Sequence, residues 1–172
     1  MVRTLRPLLL AIAVLGAGAG CASSVEPVAP ATTAPVDTLA ERDALEAAPE
    51  SVAVDGTSLG VTSNVWLDES RATSRGAGRA IRVVTALRTP RGEGVPRGVQ
   101  LARVYVLRGD DVWVSAFTAD RSGGTRGVLE GEAQNGPAWR AGERVDVVVA
   151  VELASGETRF AARRDVTIAA AD

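Results

Sequence analysis

The chain has no histidine and no lysine, so all nineteen of its basic residues are Arg. It has one Cys (Cys21) and one Tyr, and aromatic residues make up only 3% of its 172 positions. Without His, and with its one thiol near the N-terminus, the chain cannot assemble the usual zinc, haem or iron–sulfur ligand sets. Ser-His-Asp and Cys-His catalysis are excluded with them. The lack of Lys removes Schiff-base chemistry and the P-loop lysine. No cofactor and no metal are expected, and an enzyme would be left with a carboxylate pair of the glycosidase kind. Residues 58–172 contain fourteen acids, so some pair of them must lie close by accident, and a non-enzymatic chain is the simpler expectation.

The N-terminus has a short positive region, Arg3 and Arg6, then the apolar run from Leu8 to Leu15, then Gly16-Ala17-Gly18-Ala19-Gly20-Cys21. This is the pattern of a secretory signal sequence over residues 1–20. A membrane-spanning helix needs about 20 strongly apolar residues, and the three glycines weaken the second half of this one. Small residues directly before a Cys resemble the lipobox of bacterial lipoproteins, although Gly18 stands where that motif usually has Leu. The resemblance implies cleavage before Cys21 and a thioether-linked diacylglycerol on it, anchoring the chain to a membrane of the bacterial cell envelope. It also implies the outer membrane where the cell has two, because Ala22 stands where Asp would signal inner-membrane retention. With its thiol used for lipid, the chain has no means of forming a disulfide.

Residues 21–57 read as a lipidated Cys followed by an acidic tether rich in Ala, Pro and Thr. Seven acids and one Arg give this stretch a charge of −6, against +2 for residues 58–172. Val25 to Pro35 has neither a helical nor a strand period. Within the tether, Thr38-Leu39-Ala40-Glu41 is a capping-box pattern, and good helix formers continue until Pro49, which predicts one short helix over residues 39–48.

From Leu59 the apolar residues alternate with polar ones. Strands are expected over residues 59–67, 81–88, 99–107, 112–117, 128–133, 145–153 and 158–168, the last bulged near Arg163 and Arg164. Arg108-Gly109-Asp110-Asp111 suits a tight hairpin and Ala154-Ser155-Gly156-Glu157 a turn. The strand at 99–108 has Leu101, Arg103, Tyr105 and Leu107 on one face and Ala102, Val104 and Val106 on the other. Either face suits the interior, and Tyr105 is placed in the core. Seven short strands over about 115 residues predict an all-β domain at 58–172, an antiparallel sandwich or a barrel, and of the two the β-sandwich is preferred. Residues 139–147, entering a long strand and a hairpin, resemble the last strands of immunoglobulin-like domains in bacterial envelope proteins. The whole chain is similar to small envelope lipoproteins of uncharacterised function with Trp at such positions as Trp66, Trp113 and Trp139.

These three Trp are half of the six aromatic residues. Core packing explains such rings well, since each buries about 150–250 Å². Trp139 lies in a loop-like stretch, and with Arg140 it is the best candidate for contact with a partner protein or glycan. Arg91 and Arg97 are further candidate contacts, in a set with Arg79, Arg82, Arg88 and Arg103 for which a patch on one sheet and its connecting loop is conceivable and a solvated outer face is the favoured reading. The small net charge and the interspersed acids argue against nucleic acid. Asp110, Asp111 and Asp120 match no calcium-loop spacing, and the Gly-rich stretches at 76–78 and 122–127 do not sit between a strand and a helix as a phosphate loop must. The leading expectation is a lipid-anchored binding or structural domain. A carboxylate-dependent hydrolase of envelope glycans and a protease inhibitor presenting residues 88–97 are the alternatives.

Overall fold

The computed structural model describes residues 39–68, 79–120 and 127–170. The signal sequence, Cys21, the first part of the tether and Gly76 to Gly78 lie outside the described residues, as do residues 122–126. Among the described residues one helix, α1 (Leu39–Glu46), precedes nine strands: β1 (Ser51–Val54), β2 (Thr57–Leu67), β3 (Ile81–Arg88), β4 (Gln100–Arg108), β5 (Asp111–Ala116), β6 (Ala119–Asp120), β7 (Val128–Ala133), β8 (Arg144–Glu152) and β9 (Thr158–Ala169). The protein is therefore mostly β. The seven strands expected from alternation are all present, and β1 and β6 are additional.

The strands form one hydrogen-bonded path, β5-β4-β8-β9-β2-β3-β7-β6, with β1 paired to β2 beside it. Every pairing is antiparallel except β2 with β9, which run parallel over Val65↔Ile168 and Trp66↔Ala169. Two separate antiparallel sheets were expected. The short parallel seam instead makes the sheet continuous and mixed, and it curls so that its two halves share one core. Below the seam β1 fills the space between β2 and β9. The Val61 amide donates to the Glu50 carbonyl at 3.3 Å and the Ala162 amide to that of Pro49 at 2.7 Å.

The main core draws on both halves: Val61, Val65, Ile81, Val83 and Leu129 from one, and Val104, Val106, Trp113, Val147 and Val149 from the other. A second cluster lies on the opposite face of the β4–β8–β9 half, where Leu45 and Ala48 at the end of α1 cover Tyr105, Leu107, Val112, Val148, Ala150 and Ala162. This resolves the strand at 99–108. Both of its faces are apolar because both are buried, and Tyr105 belongs to the layer under the helix. Arg103 is exposed.

The second cluster also corrects the tether. Leu45 is 0% exposed and Val52 and Val54 of β1 are in the main core, so the folded unit extends N-terminal to residue 58 and includes α1. A β-bulge holds the helix in place. Asp146 faces both Arg164 and Asp165, because Val145 pairs with Val166 and Val147 with Arg163, and Asp165 takes φ 57°. The bulge turns Arg164 toward α1, where its Nη2 donates to the carbonyls of Leu45 (2.9 Å), Glu46 (2.7 Å) and Ala48 (3.1 Å). Leu45 and Glu46 belong to the last turn of α1, whose carbonyls lack i+4 partners within the helix, and Ala48 lies just beyond it. Asp146 pairs with Arg164 Nη1 at 3.1 Å.

Candidate functional site

Period-two alternation on β2 and β3 turns Val65 and Val83 inward, which leaves Trp66 and Arg82 outward and opposite each other in the register. The Arg82 guanidinium carbon lies 5.4 Å from the centre of the Trp66 ring, a cation–π distance. Arg82 Nη2 pairs with Glu132 Oε1 of β7 at 2.6 Å, and Gln134 Nε2 donates to the same oxygen. Glu132 is only 5% exposed, so a buried carboxylate is neutralised by an Arg that also stacks on an indole. Arg82 Nε is buried with no hydrogen-bond partner among the described residues.

Beside this cluster, where β2 meets β9, an open groove of about 530 Å³ is lined by Asn64, Val65, Trp66, Val166, Thr167, Ala169 and Ala170. The small side chains of Ala169 and Ala170 leave room in front of the half-buried indole. The exposed Asn64 and Thr167 add an amide and a hydroxyl to the walls. An indole wall with nearby neutral polar groups can hold a ring that is apolar on its face and polar at its edge.

Trp139 is corrected. It is 7% exposed and belongs to the main core, so it offers no free ring to a partner. The stretch around it is tied down at both ends: the Gly136 amide donates to the Ile81 carbonyl at 3.0 Å, and that of Gly142 to Ile168 at 2.8 Å. A Cβ at Gly136 would collide with the Ile81 side chain, so glycine is what allows the close approach. The Arg108 guanidinium carbon covers the indole at 4.7 Å. Arg108 Nη1 pairs with Glu143 at 2.8 Å and its Nη2 with Asp111 at 2.6 Å. The Arg140 backbone amide and then Arg108 hold the Glu143 carboxyl below its usual range. That suits a fixed ion pair, whereas a general acid needs a raised pKa.

The other candidates are not brought together. Arg140 is exposed beside Trp139, whereas Arg91 and Arg97 are exposed on the loop between β3 and β4. The length of β3, about 26 Å at 3.3 Å per residue, separates that loop from the Trp139 pole. The Arg set is not one patch: Arg82 is at the groove, Arg88 is at the far end of the same strand, and Arg103 is on the other half of the sheet. Asp111 serves Arg108, and no group of three potential ligand side chains converges among the described residues. The groove was not visible in the sequence because it depends on the register of β2 with β3 and on the β2–β9 seam, and neither leaves a local signal.

A scan against protein-family models finds no match for this chain, and searches of curated proteins and of solved structures find none either.

Proposed function

We propose that this chain is a lipid-anchored, non-enzymatic binding domain of the bacterial cell envelope, and that its ligand is an envelope glycan held in the groove beside Trp66. Diacylglycerol on Cys21 is the anchor, and outer-membrane residence is part of the same reading where the cell has two membranes. The acyl chains contribute about 0.8 kcal/mol per buried methylene. Residues 22–38 lie between the anchor and α1.

An immunoglobulin-like sandwich is the proposed fold. The half β2–β3–β7–β6 and the half β9–β8–β4–β5 have the strand sequence of that architecture, in which the chain crosses between halves after β3, between β5 and β6, and after β7. The brief parallel pairing of β2 with β9 joins the two halves at one margin.

The observation that supports ligand binding most is the groove itself. It is open, walled on one side by a half-buried indole, and bordered by the neutral hydrogen-bonding side chains of Asn64 and Thr167. A saccharide presents a similar combination, an apolar ring face and a rim of hydroxyls. Co-sedimentation of the full chain with purified peptidoglycan tests this. The native chain is expected in the pellet and Trp66→Ala in the supernatant, with circular dichroism unchanged. Equal pelleting of both proteins, or of neither, overturns the glycan reading. The anchor is tested separately: Cys21→Ser is expected to leave the membrane fraction, and its full retention there overturns lipidation.

A further inference from the structure

We infer that the free edge of β5 is a self-association surface, through which two copies of this chain join antiparallel, β5 against β5, into one extended sheet. Among the described residues β5 pairs only with β4. The opposite end of the path, β6, has two residues, and β1 is enclosed between β2 and β9. Thus β5 is the one long open edge among the described residues.

The hairpin turn decides which groups face outward. With Arg108 opposite Asp111 across Gly109 and Asp110, Asp111, Trp113 and Ser115 direct their amides and carbonyls to β4. Val112, Val114 and Ala116 therefore present theirs to the open side. Edge strands are usually guarded by charge, proline or a bulge. Residues 112–116, Val-Trp-Val-Ser-Ala, have neither charge nor proline, and the β4–β5 register runs without interruption.

Two features select a second copy as the occupant. The edge is self-complementary: about a two-fold axis at Val114, Val114 faces its counterpart and Val112 faces Ala116, giving about six backbone hydrogen bonds. Both apolar layers continue across the join, since Trp113 lies in the main core while Val112 and Val114 pack in the layer under α1. The axis is perpendicular to the sheet, so both α1 helices lie on the same face. If Cys21 carries lipid, both anchors then approach one membrane from one side.

Sedimentation of the full chain carrying Cys21→Ser, across micromolar to submillimolar concentration, is the test. The expected result is a reversible dimer. Val114→Pro removes only an outward amide and keeps the bonds to β4, so it should weaken the dimer at least tenfold. If that variant fails to fold, Val114→Arg, which sets like charges against each other at the axis, should do the same. Mild oxidation of Cys21→Ser/Val114→Cys should give a covalent dimer on a non-reducing gel. A monomer throughout the concentration range, or dimers insensitive to both Val114 substitutions, would overturn the inference.

Discussion

The two apolar layers of this domain are built differently. Among the described residues the main core contains twenty-two buried side chains drawn from both halves of the sheet, and the layer beneath α1 contains eight. The first is held by strands that pair along most of their length. The second is closed by a helix of eight residues, too short to persist without the sheet beneath it. Long-range register therefore secures one layer, and a few side chains on a short element secure the other. The smaller layer is expected to open first, locally, while the larger one fails only with the whole fold.

The largest effect should come from Trp113, which is 2% exposed in the main core. Trp113→Ala should cost about 3–5 kcal/mol, read as a global drop in the midpoint of denaturant unfolding. Leu45→Ala removes a fully buried side chain of α1 and should cost about 2–3 kcal/mol. Because the helix can detach, the loss is limited to its docking energy. The distinguishing result is rapid protease cleavage within residues 39–48 while the β circular-dichroism signal is retained. A single cooperative transition, with cleavage no faster than in the native chain, would show that the two layers are one unit.

The same contrast explains what was legible beforehand. Seven strands announce themselves by alternating apolar residues, and the bulge was expected at Arg163–Arg164, one residue from its position at Arg164–Asp165. β1 has only Val52 and Val54 to mark it and follows a stretch punctuated by Pro and Ala, so it reads as tether. The α1 helix was legible from its capping box, but its docking was not, since Leu45 gains its meaning only from Tyr105, Val148 and Ala162 far away in sequence. For Trp139 the sequence offered both core packing and partner contact, because a turn-rich stretch reads as loose; the packing reading holds, since Gly136 and Gly142 tie the stretch to Ile81 and Ile168. Arg82 and Trp66 could each be weighed singly, and only strand register makes them a pair.

Arg164 offers a gentler way to separate the layers. Its side chain is 27% exposed, and Arg164→Gln would remove most of its bonds to the α1 carbonyls and the pair with Asp146. The expected cost is about 1–3 kcal/mol. Amide exchange should accelerate within α1 and remain unchanged in β8. Faster exchange in both would place the bulge among the supports of the main core.

The smallest effect is also the most local, and Tyr105 reports it directly as the only Tyr in the chain. Burial beneath α1 pushes its phenol above the ordinary value of 10.0, and the Glu41 carboxylate adds to the shift, while Arg103 opposes it. The Tyr105 hydroxyl donates to Glu41 Oε1 at 3.3 Å. A raised folded pKa means that the folded chain favours the neutral phenol. The associated stability is complete below the unfolded value and is lost as the pH rises through the folded one. Alkaline pH should therefore loosen α1 before the sheet. Phenolate absorbance in the native chain should rise at a higher pH than in denaturant. Glu41→Gln should lower that midpoint only partly, because desolvation is the larger cause, and Leu45→Ala should lower it further by letting water reach the ring. If Leu45→Ala leaves the midpoint where the native chain has it, then α1 is not what keeps Tyr105 dry, and the second layer is closed by the sheet alone.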